Sequence, residues 1–120
     1  MKHFYIIIAL LLTLSNITAQ ESKTTLAVLD FEGRGINTLE AAPLTDRFTS
    51  EIGKTESMVL VARNMVEEIL TEQGFQQSGC TTDECAVEVG AMLGVQFMIS
   101  GAIGKLGDTF TIDAKLVSLE

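Results

Sequence analysis

Two short, uninterrupted apolar runs, each followed by an amphipathic segment, constrain the fold of this chain more than any other feature. Leu26 to Leu29 and Met58 to Val61 have the length and continuous hydrophobicity of strands buried on both faces. Such strands, when they alternate with helices, are typical of a partly parallel sheet with right-handed crossovers. The sequence therefore predicts an α/β domain.

Three amphipathic segments predict three helices. Each begins near a Thr or Asn that can cap it, and two of them end at a Gly. The predicted helices run from Leu39 to Lys54 after Thr38, from Asn64 to a stop at Gly74, and from a Thr81–Glu84 capping box to a stop at Gly94.

The last quarter of the chain alternates apolar and polar residues and predicts an antiparallel hairpin. Phe97 and Ile99 alternate in its first strand, and the second strand carries Phe110, Ile112, Ala114 and Leu116. We expect residues 104–108 to form the loop, the apolar side to cover the core and the other side to face water. The whole order is β-α-β-α-α-β-β, a single-domain mixed sheet packed with helices.

The N-terminus has the three-part layout of a secretory signal peptide. Residues 1–3 are a short positive start, residues 4–12 are an unbroken apolar run, and the polar stretch that follows ends on Ala19. The apolar run is far shorter than the roughly 20 residues needed to cross a bilayer. We therefore expect residues 1–19 to be a signal peptide cleaved after Ala19. Because no Cys precedes Cys80, we expect no lipid anchor at this leader.

Composition narrows the possible functions once the leader is set aside. The remaining 101 residues carry 7 basic and 16 acidic side chains, so we expect no nucleic-acid partner, which would require surplus Lys and Arg. His3 and Tyr5 belong to the leader, so the mature chain would contain no His, Tyr or Trp. Because His-based triads and His-ligated metal sites would then be impossible, the sequence predicts no catalytic residue, metal ligand or cofactor.

Cys80 and Cys85 are the most specific pair in the sequence. Two thiols without His or further Cys cannot complete a tetrahedral zinc site. In an exported protein the default for such a pair is a disulfide, which here would close a small loop and contribute roughly 2 kcal/mol. Two alternatives stay open: two free thiols, or a redox-active pair in which a helix N-terminus lowers the pKa of the Cys85 thiol.

Two groups of residues near the first strand are weaker candidates. The Gly-Arg-Gly segment 33–35 lies between a strand and a helix, but a dinucleotide-binding turn needs a third Gly where Thr38 stands, so a surface turn is favoured. Asp30 and Glu32 could suggest a metal or phospho-acceptor pocket. The further carboxylates and the Lys that such a pocket needs are missing, so solvated loop carboxylates are favoured.

An acidic stretch on the predicted second helix is the last polar candidate. Glu67, Glu68 and Glu72 would form an acidic helix face. Most such faces are simply solvated, which is the favoured interpretation over a surface for a basic partner.

Taken in order, these segments resemble the CsgG-type domain family, named for the curli production assembly/transport component. The resemblance rests on an ordered series of stretches and covers residues 25–120. The stretches are Leu26-Ala-Val-Leu-Asp-Phe-Glu-Gly33, Val61-Ala-Arg-Asn64 leading into Met65 to Leu70, Gln73 to Cys80, Asp83-Glu-Cys85 with Gly94, and Ser100 to Gly107.

The resemblance implies an α/β domain shared by curli assembly proteins, LpoB-like activators of peptidoglycan synthases and the N-terminal domain of TolB. It implies a non-enzymatic protein of the periplasm that acts through protein contacts, with outer-membrane association through a partner.

No membrane-inserting hairpin is evident, so a secretion pore is not expected from this chain alone. Such domains usually continue past the strand at Glu120, so we expect a short variant or an incomplete reading frame. A complete chain would leave a sheet edge open for a partner.

Three functions follow as hypotheses. The first is contact with another envelope protein, such as an outer-membrane secretion component, in assembly or secretion. The second is regulation of a peptidoglycan synthase, as in LpoB-like proteins. The third is thiol-disulfide chemistry at Cys80 and Cys85. An oligomer is compatible with the first two.

Overall fold

The computed structural model describes residues 1–3, 23–74 and 80–120, and from residue 23 onward the described chain forms five strands and three helices. Within these ranges no helix is both long and apolar enough to cross a membrane. In chain order the elements are β1 (Thr25–Val28), β2 (Glu32–Arg34), α1 (Thr38–Lys54), β3 (Val59–Leu60), α2 (Arg63–Glu72), α3 (Asp83–Leu93), β4 (Phe97–Leu106) and β5 (Thr109–Ser118).

Strand β4 is the centre of the sheet. One of its edges pairs antiparallel with β5 along the full length of both strands. Its other edge is shared by β1, which pairs with residues 97–99, and β2, which pairs with residues 102–104, both in parallel. Strand β3 pairs in parallel with β1. The predicted single-domain mixed α/β sheet is confirmed.

The short strand β2 adds one element to the predicted order. The Gly-Arg-Gly segment was expected to be a surface turn, but Glu32 to Arg34 continue along β4 after β1 ends. Three residues with a central Gly carry no apolar alternation, so pairing here depends on the length of β4. Gly33 is required because an added Cβ would lie 2.6 Å from the carbonyl oxygen of Ile36.

The C-terminal ends of the helices were predicted more accurately than their N-terminal caps. Gly74 and Gly94 have positive φ and end α2 and α3 as predicted. The caps differ by one or two residues from those predicted. Helix α1 is capped by Asn37, not Thr38, in a reciprocal capping box with Glu40. Helix α2 is preceded by Ala62, so Asn64 is not its cap. Helix α3 is capped not by Thr81 but by Thr82, whose hydroxyl accepts a hydrogen bond from the Cys85 N–H at 3.2 Å.

The core lies in two layers, one on each face of the sheet. Helix α1 packs over one face, and helices α2 and α3 cover the other. Strand β1 is buried on both faces, as its continuous apolar run predicts. The α1 layer is built on Leu26, Val28, Phe31, Ala41, Ile99 and Ile103, and the opposite layer on Ala27, Leu29, Val66, Leu70, Val89 and Met98.

Thr45 is a fully buried polar residue that ties α1 to the sheet. Its hydroxyl accepts a hydrogen bond from the Phe31 N–H and donates one to the Ala41 carbonyl, both at 3.2 Å. The Phe31 N–H lies between β1 and β2, where the chain changes direction along β4. The hydroxyl thus satisfies a backbone donor that an apolar side chain would leave unpaired.

The hairpin forms where it was predicted, with longer strands and a tighter turn. Only Gly107 and Asp108 connect β4 to β5, because Gly107 takes positive φ and Gly104 stays in the strand. The expectation that the apolar side of both strands would cover the core was wrong for β5. No β5 residue belongs to the described cluster under α1, so Phe110, Ile112 and Leu116 face outward, and only Val117 packs against the core, on the α2 and α3 side.

Candidate functional site

The apolar face of β5 carries a row of exposed large hydrophobic residues. Phe110, Ile112 and Leu116 are 52%, 50% and 55% exposed. Directly opposite residues of an antiparallel pair point to the same side, and Ile112 and Leu116 lie opposite Ile103 and Ile99, which are buried under α1. The surface formed by Phe110, Ile112, Ala114 and Leu116, here called the β5 face, therefore extends the α1 layer into solvent.

The other side of the hairpin carries a polar cleft of about 280 Å³. It lies between the sheet and the start of α3, and its lining includes Glu32, Arg34, Asp83, Ser100, Asp113 and Lys115. Lys115 contacts the Asp83 carboxylate, and a guanidinium nitrogen of Arg34 lies 3.6 Å from a carboxylate oxygen of Glu32. The cleft thus pairs charges of both signs on a largely exposed surface.

Arg63 connects the end of β1 to helices α1 and α2 through an ion-pair cluster. Its guanidinium contacts Asp30 after β1, Asp46 in α1 and Glu67 in α2. Arg63 and Asp30 are largely buried, with side chains 30% and 16% exposed. Burial raises the pKa of the Asp30 carboxyl above its ordinary value, and the opposing attraction of Arg63 only partly offsets this.

This cluster changes the interpretation of the first-strand carboxylates. Asp30 is not a solvated loop carboxylate, and it does not share a pocket with Glu32, which lines the cleft instead. Of the predicted acidic helix face, Glu67 is engaged by Arg63 at 3.3 Å, while Glu68 and Glu72 are exposed. This cluster could not be predicted from the sequence, because residues 30 and 63 meet only in the folded chain.

Cys80 and Cys85 lie together in the core beside α3. Their sulfurs are joined in the structure, the Cα atoms are 5.5 Å apart, and the residues are 2% and 8% exposed. Both belong to the cluster under α2 and α3. A bridge here would anchor the segment that precedes α3 to the first turn of this helix.

We predict that neither thiol of the natively purified, unreduced protein reacts with a maleimide. A pair that is both buried and bonded offers no thiolate, whereas full denaturation with reductant should expose two. Reduction, or Cys85→Ser, should lower the free energy of unfolding by roughly 2 kcal/mol, the amount expected for a small closed loop. Modification of both thiols in the native, unreduced protein would show that the disulfide is absent.

The predicted leader lies mostly outside the described residues. Residues 4–22 include the proposed cleavage position after Ala19 and are not described. The signal peptide therefore stays a prediction from the sequence. Among the described residues, no group of three or more His, Cys, Asp and Glu side chains is arranged to hold a metal ion.

The described elements define one three-layer α/β domain with an exposed edge strand. The family model of CsgG, the curli production assembly/transport component, matches residues 9–113, and the chain therefore belongs to the CsgG family. The match begins earlier than the resemblance at residue 25 and overlaps the predicted leader. Among curated protein sequences, none is significantly similar to this chain.

Solved structures of similar fold come from three bacteria. The LpoB C-terminal domain from Salmonella enterica has a TM-score of 0.69 at 13% identity, covering 92% of this chain and 83% of that chain. The NMR structure of E. coli LpoB also has a TM-score of 0.69, at 15% identity, and the match covers 82% of this chain and 52% of that chain. The lipoprotein GNA1162 from Neisseria meningitidis has a TM-score of 0.64 at 13% identity, and the match covers 80% of this chain and 70% of that chain. At these identities the similarity establishes the fold.

Proposed function

We propose that this CsgG-family protein is a non-enzymatic component of the periplasm that acts through contacts with another envelope protein in envelope assembly or secretion. The observation that carries the proposal is the β5 face, with its three large apolar side chains about half exposed. Full burial of such side chains is worth about 1.5–3 kcal/mol each, so covering this face would favour association. The leader predicted from the sequence and the family membership support an envelope location.

The proposed partner would meet the apolar side of the hairpin. Phe110 lies at the tip, with the Lys105 ammonium 5.3 Å above its ring, and Leu116 lies near the base. Between them the face offers an extended row of side chains on every second residue. This spacing suits a partner that presents an apolar strand or helix.

Site-specific photocrosslinking in the native host tests this proposal. A photoreactive residue in place of Ile112 should crosslink to an envelope protein, whereas the same residue in place of Thr111, on the opposite side of β5, should not. The crosslink should be lost when Phe110 and Leu116 are both changed to Ser. Recovery of the chain and its crosslinks in the cytosolic fraction alone would contradict the proposal.

Regulation of a peptidoglycan synthase is the second candidate, favoured by the fold shared with the LpoB C-terminal domain. In this case the crosslinked partner would be a glycosyltransferase or transpeptidase. Adding the purified protein should then stimulate that enzyme in vitro. Crosslinks to outer-membrane secretion components alone would count against it.

A thiol-disulfide function is the least supported candidate. Exchange requires an accessible sulfur, and both Cys residues are almost completely buried. If Cys85→Ser leaves partner binding and host phenotype intact, this function is ruled out.

A further inference from the structure

The outer edge of β5 is a long strand edge without a partner among the described strands. All ten residues from Thr109 to Ser118 pair with β4 on one side, and no described strand pairs on the other. Such an edge presents a row of unpaired N–H and C=O groups to any strand of matching pattern. The edge is separate from the β5 face, since the edge lies in the plane of the sheet.

The charges along this edge are self-complementary. Asp113 and Lys115 flank Ala114, and both point to the cleft side of the sheet. We propose that a second copy of this chain pairs antiparallel with β5, so that Ala114 of one copy lies opposite Ala114 of the other. Each Asp113 then faces the other copy's Lys115. The two five-stranded sheets become one continuous sheet.

The apolar residues of β5 also pair favourably in this register. Ile112 of each copy lies opposite Leu116 of the other, and directly opposite apolar pairs stabilise a sheet. Both pairs lie on the β5 face, which becomes continuous across the two copies. The interface therefore leaves that face available to the partner proposed above, and it does not depend on that partner.

Neighbouring symmetric registers are disfavoured by charge. A two-fold axis perpendicular to the sheet must pass midway between one residue and the same residue of the second copy, so that this residue faces its own counterpart. With the axis at residue 113 the two Asp113 carboxylates are opposed, and with the axis at residue 115 the two Lys115 ammonium groups are opposed. Like charges directly opposite one another destabilise a strand pair. The axis at Ala114 avoids both clashes.

Lys115 keeps its contact within the chain in this arrangement. It already contacts Asp83 at the start of α3, and Asp113 makes no ion pair among the described residues. Pairing with a second copy gives Asp113 a cation and places Lys115 between two carboxylates. Asp113 is thus a carboxylate without an ion-pair partner among the described residues, and the second copy supplies one.

Charge reversal in two separate variants tests the pairing. Asp113→Lys opposes Lys with Lys, and Lys115→Asp opposes Asp with Asp, so each variant alone should dimerise about tenfold or more weakly than the wild type. An equimolar mixture of the two should form heterodimers, because each copy then meets the opposite charge at both positions. Sedimentation of the wild type, of each variant alone and of the mixture measures the strength of dimerisation. The control is Glu88→Lys, an exposed charge reversal on α3, which should leave dimerisation unchanged.

A cysteine at the two-fold axis gives a second test that does not depend on charge. In Ala114→Cys the two new thiols lie opposite each other, at the Cα spacing of about 4.5–5.5 Å that a disulfide can bridge. Mild oxidation should yield a covalent dimer. Thr111→Cys should not, because its two copies are about 20 Å apart along the strands.

These experiments distinguish an edge that pairs with a second copy from an edge whose charges prevent pairing. Wild-type protein that stays monomeric up to about 1 mM would overturn the proposal, and the edge charges would then serve to prevent pairing. Heterodimers that fail to form from the mixed variants would overturn the register. Neither result affects the photocrosslinking test of the proposed function, in which a self-crosslink and a crosslink to another protein differ in mass.

Discussion

Changing Arg63 to Met is expected to lower the free energy of unfolding by about 2 kcal/mol at neutral pH. Removing one partner of a fully buried ion pair costs about 3–5 kcal/mol, and the partial exposure of this cluster reduces that cost. The variant would leave the Asp30, Asp46 and Glu67 carboxylates close together without a cation. Met keeps most of the apolar volume of the Arg side chain, so the loss would reflect charge.

The destabilisation should shrink as the pH falls. Burial raises the folded-state pKa of Asp30 above its unfolded value, so the folded protein binds this proton more tightly. A group of this kind contributes stability that is present below the unfolded pKa and is lost as the pH rises through the folded pKa. Without Arg63 the folded pKa rises further. The variant should therefore approach the wild type as the pH falls through the folded pKa of Asp30.

Chemical denaturation at neutral and acidic pH measures this effect, with two comparison variants. Adding Asp30→Asn to Arg63→Met should restore part of the lost stability, because the most buried carboxylate is then neutral. Arg47→Met removes an exposed ion pair with Glu51 and should change stability by no more than about 0.5 kcal/mol. Equal losses for the Arg63 and Arg47 variants would mean that the cluster has no special role.

The parts of the fold that could be predicted are those fixed by local pattern. The run Leu26 to Leu29 predicted burial on both faces, and its residues do alternate between the two core layers. Positive φ at Gly94 needed no knowledge of the rest of the chain, since an αL residue at a helix end is a local requirement. The α/β class follows from such elements in order.

The features that could not be predicted depend on residues that meet only after folding. Asp30 and Arg63 are separated by 33 positions, and nothing local indicates that one charge needs the other. The short strand β2 exists because β4 extends past β1 and offers an edge. The exposure of the β5 face depends on where α1 lies, which the alternation of Phe110 and Ile112 does not report.

Changing Gly101 to Ala is expected to lower the free energy of unfolding by about 2–3 kcal/mol, the upper range for forcing extra volume into a packed site. Gly101 lies in the middle of β4, opposite Ala114, where the hairpin strands approach closely. An added Cβ would overlap the backbone carbonyl oxygen of Asp113 and lie 3.2 Å from the Ala114 Cα. Backbone atoms cannot rotate away as a side chain can, so β5 must shift.

Gly53→Ala is the matched control for this prediction, because it adds the same methyl group at a different kind of site. There the new Cβ would meet only the flexible end of Leu60, at 3.2 Å, and the position lies in helix α1. Ala favours a helix over Gly by about 0.8–1.0 kcal/mol, so this variant should be as stable as the wild type or more so. Denaturant unfolding compares the two variants directly. If Gly101→Ala were as stable as Gly53→Ala, β4 and β5 could not pair in the register that places Gly101 opposite Ala114, and the β5 face and edge would both need to be reassigned.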